Sequence, residues 1–405
     1  MAERPTYRLL RGEASSQRAT FLELFLDLVF VFALTRVSER LILDFTTEQR
    51  ILFSEGGQTL LLFLALWHIW ATTAWITSRA EPAVPTVQML VILTMVGSMV
   101  MAVALPRGFG SQAVAFAGAY VAVQFGRTLV ATVGAHGNPD PTSPHAHVRL
   151  LLWSGLTAVL WILGAVTNDR VRRSVLWSLA LTLDYLGTAS GWPVPRLGRS
   201  RYAGQVIAGE HLAERYQQFL LIALGESIFV IGITFSGGGG NFTPARTAGF
   251  GLALLTTVLL WRIYFHRAGD VLPLAITRAR HPARLGQAAG YSHLVMIAGI
   301  VLTGAGYELF IAEPVGTTMP VWLLAILGGP ALFLAGRAGF EFLTFARISR
   351  SRVAGLLGLG AVVPAMFHLP PLAVAGTAAV VLSGVALADL WRSHGRAPEQ
   401  PAPPG

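Results

Sequence analysis

The chain has 405 residues, of which 53% are hydrophobic and only 13% charged. That balance excludes an ordinary soluble globular protein and belongs to a polytopic membrane protein. The formal net charge of +9 comes from Arg alone, placed mainly in the connections between apolar runs, so it reads as topology signal rather than as a nucleic-acid surface. With no Cys, disulfides, thiolate metal sites and thiol nucleophiles are excluded.

In chain order, residues 1–20 are polar and carry Arg4, Arg8, Arg11 and Arg18, as a cytoplasmic tail would. The run that follows carries Glu23 and Asp27 in its front half, so it is expected to stay as the first helix rather than to act as a cleavable signal. Spans are predicted over roughly 21–41, 57–77, 86–105, 111–134, 148–167, 172–190, 211–235, 245–267, 286–307, 319–337, 352–369 and 371–391. Each approaches the ~20 residues needed to cross about 30 Å of hydrocarbon as a helix. A β-barrel is excluded, because its strands would be about ten residues long and alternate in polarity. The fold class is therefore all-α: a transmembrane helical bundle of about twelve spans over 21–391, followed by a disordered tail over 392–405.

Pro and Gly mark most boundaries, among them Pro82, Pro106, Pro193, Pro195, Gly237 to Gly240, and Pro370-Pro371. The last pair leaves almost no loop, so a re-entrant hairpin is an alternative to two spans there. Trp177, Trp192, Trp322 and Trp391 fall near span ends, where an interfacial aromatic belt is expected. Gly336 with Gly339, and Gly355 with Gly358, offer close helix approach. Connections on the N-terminal side hold Arg196, Arg199 and Arg201, then Arg278, Arg280 and Arg284, then Arg347, Arg350 and Arg352. The positive-inside rule then places both termini in the cytoplasm. The stretch Asp169 to Arg173 is an exception that the rule does not explain.

Leu66-Trp67-His68-Ile69-Trp70 in the second span resembles Leu260-Trp261-Arg262-Ile263-Tyr264 in the eighth, which suggests a six-plus-six duplication with halves 21–190 and 205–391. An even repeat length makes the halves parallel.

The residues most costly to the bilayer are the candidates for function. A central Asp or Arg costs about 2.5 to 3.5 kcal/mol on insertion, so several facing lipid would cost on the order of 10 kcal/mol. Spacing gives polar stripes: Glu23 and Asp27; His68, Thr72, Trp75 and Arg79; His211, Arg215 and Glu226; Arg262 and His266. Glu23, Asp27, His68, Glu226 and Arg262 form a candidate substrate- or ion-binding set, supported by Thr72, Trp75, His211, Glu214, Arg215 and His266. For His68, a relay and a structural imidazole bonded to a neighbouring Thr both fit, and Arg262 reads as a counter-charge to Asp27 or Glu226. Asp184, His293 and Glu341 read as structural, and His136, His145 and His147 lack the partners of a metal site. No metal, cofactor or catalytic residue is assigned.

The stretch Phe21-Leu22-Glu23-Leu24-Phe25-Leu26-Asp27-Leu28-Val29-Phe30 resembles the signature of the bacterial low temperature requirement A (LtrA) family. Trp67 to Trp75, His211 to Arg215 and Leu224-Gly225-Glu226-Ser227-Ile228 resemble its later blocks, in family order; Leu26 departs from an aromatic usual there. The resemblance implies a multi-pass membrane protein and maps the family's charged residues onto Glu23, Asp27, His211, Glu214, Arg215 and Glu226.

The expected function is secondary transport or a channel-like permease in the bacterial cytoplasmic membrane, not an enzyme. Its partners would be the lipid bilayer, an unknown small solute, proton or cation, and a second copy of the chain if it oligomerises; nucleic acid is excluded. A sensor or ligand- or lipid-binding protein is the alternative, and an intramembrane lipid-modifying enzyme the third.

Overall fold

The computed structural model describes residues 18–46, 49–135, 145–200, 207–237, 242–266, 271–395 and 399–403. Among them lie thirteen α-helices: α1 (Phe21–Thr46), α2 (Gln49–Thr77), α3 (Pro85–Ala104), α4 (Ala113–Ala135), α5 (Ala146–Val166), α6 (Arg170–Ser190), α7 (Gly209–Gly237), α8 (Pro244–Phe265), α9 (Leu272–Arg278), α10 (Pro282–Ala312), α11 (Gly329–Phe345), α12 (Arg350–Met366) and α13 (Pro371–Ser393). Twelve follow the predicted spans, and the short α9 was not anticipated. Eight helical segments, namely α2, α3, α5, α7, α8, α10, α13 and α11 together with the π-helical turn before it (Leu324–Phe345), are long and apolar enough to cross a membrane. Of the others, α1 carries Glu23, Asp27, Arg36, Glu39, Arg40 and Asp44, and α12 has 17 residues.

Local chemistry sets the boundaries. Pro occupies the first turn of α3, α8, α10 and α13, where its missing N–H has no intrahelical acceptor to lose. Gly191, at φ 79°, ends α6 in the left-handed conformation. The span predicted over 319–337 is displaced towards the C-terminus: Leu324–Gly328 is a π-helical segment, and α11 continues to Phe345. Arg337 and Glu341 thus lie within one helix, one turn apart.

The side-chain distribution inverts that of a soluble protein. On α5, Leu152, Leu156, Val159 and Leu163 form an exposed stripe, while Arg149, Thr157, Trp161 and Gly164 are buried. Apolar groups face outward and polar groups inward, as in a bilayer-embedded helix.

The chain divides into two compact units, residues 1–36 with 56–212, and residues 37–55 with 213–405. The suggested halves, 21–190 and 205–391, assign 37–55 and 205–212 differently. In the first unit α3, α4, α5 and α6 pack in chain order. Phe109, Phe116, Tyr120, Trp161 and Trp177 form an aromatic core, Trp161 meeting Tyr120 and Trp177 with ring centroids 4.4 and 5.1 Å apart. Trp177 is accordingly no interfacial anchor: it is fully buried and donates to the Trp161 carbonyl at 2.9 Å. Trp322 is also buried, whereas Trp391 is 81% exposed.

The puzzling Asp169 to Arg173 stretch has a structural explanation. Asp169 caps α6 by accepting from the backbone of Val171 at 2.8 Å and Arg172 at 3.3 Å. Buried Arg173 donates to the carbonyls of Gly164 (3.0 Å), Thr167 (2.5 Å) and Phe109 (2.5 Å), satisfying the orphan end of α5 and tying it to the chain before α4. Arg173→Ala strips these carbonyls of their donors, so a loss of about 3 kcal/mol is expected, read as a lowered unfolding midpoint in detergent. An unchanged midpoint would show that water or lipid serves these carbonyls equally well.

In the second unit α10 is the central element, packing on α8, α9, α11 and α13, while α13 also contacts α8 and α12. Its 31 residues reach about 46 Å, longer than the hydrocarbon core. Part of the tail expected to be disordered is positioned: Ala402 N donates to the Thr344 carbonyl at 3.0 Å, and Glu399 pairs with Arg347.

Candidate functional site

The candidate residues divide between the units: Glu23, Asp27, His68, Thr72, Trp75 and His211 in the first, and Glu214, Arg215, Glu226, Arg262 and His266 in the second. In the first unit, Thr20 and Glu23 form a capping box at the start of α1. Glu23 Oε2 accepts from the backbone N–H and hydroxyl of Thr20 at 2.8 and 2.9 Å, and the Thr20 hydroxyl accepts from Glu23 N at 3.3 Å. The same Glu23 oxygen lies 3.1 Å from Nε2 of fully buried His211. Glu23 therefore shapes the helix end and holds α1 to the first turn of α7.

One turn later Asp27, also buried, accepts a 2.9 Å hydrogen bond from the Trp70 indole of α2. Trp70 lay in the stretch around His68 but was not singled out, because an indole in an apolar run reads first as packing. Trp70→Phe keeps the ring and removes the donor, so a loss of about 1–3 kcal/mol is expected. A double-mutant cycle with Asp27→Asn checks it; additive effects would mean that this bond does not couple the helices.

His68 precedes Trp70 by two positions and so presents a different face of α2. That face meets a polar cluster built from α4 and α6. The His68 ring lies 5.1 Å from the Tyr185 ring and 6.4 Å from that of Tyr120. Tyr120 donates to Asp184 Oδ2 at 2.7 Å, with Trp161 Nε1 at 3.5 Å from the same oxygen. Buried Arg127 donates to the Ile69 carbonyl at 3.1 Å and to the hydroxyls of Thr72 (2.5 Å) and Thr73 (3.2 Å). Thr72 in turn bonds the backbone carbonyl of His68 at 2.5 Å. Trp75 is half-buried on the same helix. Asp184, read from sequence as structural, is an integral member of this cluster, and Tyr120 and Arg127 escaped notice because Asp184, Ile69, Thr72 and Thr73 lie 54 or more positions from them.

In the second unit, Glu226 of α7 is completely buried, and its Oε1 accepts from the Ser38 hydroxyl of α1 at 2.8 Å. Its Oε2 has no hydrogen-bond partner among the described residues and faces Gly304 of α10. Glu39 is close enough to act electrostatically on both Glu226 and half-buried Glu308. On the same helix, buried Arg215 donates to Gln218 Oε1 at 3.3 Å, and Gln218 Nε2 to Glu214 at 3.1 Å. Arg262, half-buried, donates to His266 Nδ1 at 2.8 Å within α8, while Glu226 takes its hydrogen bond from Ser38. His293, read from sequence as structural, accepts or donates at 2.7 Å with the Tyr264 hydroxyl and stacks on Tyr216 with centroids 4.9 Å apart.

The family model described as "Bacterial low temperature requirement A protein (LtrA)" matches residues 18–387. The chain is also similar to a protein of Rhizobium meliloti (strain 1021) bearing the name "Uncharacterized protein RA0937", at 36% identity over 392 residues, covering 96% of this chain and 91% of that one. No solved structure matches.

Proposed function

This chain belongs to the bacterial low temperature requirement A (LtrA) family of multi-span membrane proteins, and from that premise we propose that it is a secondary transporter or channel-like permease in which Glu226 binds or exchanges a proton or cation. One observation carries the reading: a carboxyl group sealed inside the second unit, with one oxygen held by Ser38 and the other without a hydrogen-bond partner among the described residues. Burying a charged carboxylate in that condition is costly, and a proton or cation removes the cost. A group that must change its charge state to be sealed or opened is suited to coupling. Asp27 is the second exchanging group and His68, within the Tyr120, Arg127 and Asp184 cluster, a relay. Arg262 supplies positive charge at the end of α8.

In this reading α1 to α8 and α10 to α13 all cross the cytoplasmic membrane, as parallel halves of six, with both termini in the cytoplasm beside the Arg-rich connections. The protein acts on a small solute, proton or cation without transforming it. The test is flux: full-length protein in liposomes with an entrapped pH indicator, challenged with proton and alkali-cation gradients and with small solutes. Flux above empty liposomes that falls in Glu226→Gln and Asp27→Asn is the expected result. No flux of any of these, or both variants matching wild type, overturns the proposal.

A further inference from the structure

A second buried charge cluster, on residues separate from Glu226, lies in the second unit where the C-terminal part of α11 meets the start of α12 and the end of α13. Arg337 and Arg352 are each only 2% exposed. Arg337 donates its Nε to the Ile263 carbonyl at 3.2 Å, and its guanidinium lies 5.3 Å from the Phe340 ring centroid. Arg352 pairs through Nη2 with Asp389 at 2.6 Å. Among the described residues, three buried donor nitrogens have no acceptor: Nη1 of Arg337, and Nε and Nη1 of Arg352.

The neighbouring carboxylates are already engaged, Asp389 with Arg352 itself. Glu341 Oε2 accepts from Ser349 N at 3.1 Å, and Asp389 Oδ1 from the Ser351 hydroxyl at 2.9 Å. Arg352 acts on Arg337 as a like charge, while Glu341 and Asp389 act on it with the opposite sign. Buried guanidiniums with open donors are strongly disfavoured unless an anion completes them. A phosphate group suits the vacancy in acceptors, since it carries negative charge and several oxygens that accept from guanidinium forks.

We propose that Arg337 and Arg352 form a binding site for a phosphate group, free or carried on a lipid headgroup. The donors are closed to water here. Asp389 competes with the anion for Arg352.

The test uses purified full-length protein. Calorimetric titration with inorganic phosphate reads the free anion, and native mass spectrometry of protein mixed with phosphatidylglycerol or phosphatidylcholine reads the lipid. Saturable binding of inorganic phosphate assigns the free anion; selective retention of phosphatidylglycerol without phosphate binding assigns the headgroup; neither overturns the proposal. Arg337→Gln and Arg352→Gln should each weaken binding at least about tenfold, whereas Arg350→Gln, which removes an exposed charge nearby, should leave it unchanged. An equal loss in Arg350→Gln would mean diffuse surface attraction and overturn the site. Should the buried-Arg variants fail to fold, Asp389→Asn decides: tighter binding supports the competition, and unchanged or weaker binding overturns it.

Discussion

Glu226→Gln is expected to reduce coupled flux by about a hundredfold, the scale of losing a positioned proton-exchanging group. The substitution keeps the side chain's size and its ability to accept from Ser38, so packing around a fully buried position is preserved. What it removes is the capacity to alternate between charged and neutral forms. Ser38→Ala leaves the carboxyl group in place and takes away its 2.8 Å donor; a hydrogen bond to a charged group contributes about 1.5–3 kcal/mol. Ser38→Ala should therefore alter the pH dependence of flux while retaining measurable activity, and should have little further effect when added to Glu226→Gln. Wild-type flux in Glu226→Gln would remove Glu226 from the mechanism.

Gly336→Leu is expected to damage the fold severely. A β-carbon at this position of α11 would stand 2.7 Å from the backbone nitrogen of Met296 and 2.9 Å from the Ser292 carbonyl oxygen, both on α10. Neither neighbour is a side chain that can rotate away, so the helices must separate along the most extensive contact of the second unit. Overpacking of this kind costs about 1–3 kcal/mol and sometimes more, and a leucine exceeds the single β-carbon considered. Gly339, three positions on, meets nothing within 4 Å at its own β-carbon position. Gly339→Leu should then be tolerated, and unfolding midpoints in detergent compare the two. Equal midpoints would contradict the close crossing of α10 and α11.

The two glycines also show how far sequence reading reaches. Gly336 and Gly339 were paired as small residues that permit close approach, which is correct for Gly336 alone. Small size signals that a neighbour can come near, while the direction of approach depends on which face of the helix the neighbour occupies. The same limit explains Trp177, whose position near a span end suggested an interfacial anchor until the packing of α4, α5 and α6 enclosed it. The partners of Asp184 and His293 were not legible for the complementary reason: Tyr120 and Tyr264 are 64 and 29 positions away.

What the sequence determined by itself is the helical, membrane-embedded character of the chain, the approximate position of twelve of the thirteen helices among the described residues, its family, and which ionisable residues must avoid lipid. These follow from local physics: backbone groups in hydrocarbon must be satisfied within their own helix, and each apolar run carries its own insertion free energy. Tertiary structure alone decided the partners, giving Asp27 to Trp70, Glu226 to Ser38, Glu23 to His211, and His68 to a face shared with Tyr120 and Tyr185. The period of a helix tells which residues share a stripe, but the neighbour that fills that stripe is chosen by packing between segments remote in sequence, where one position along a helix turns a side chain by about 100°.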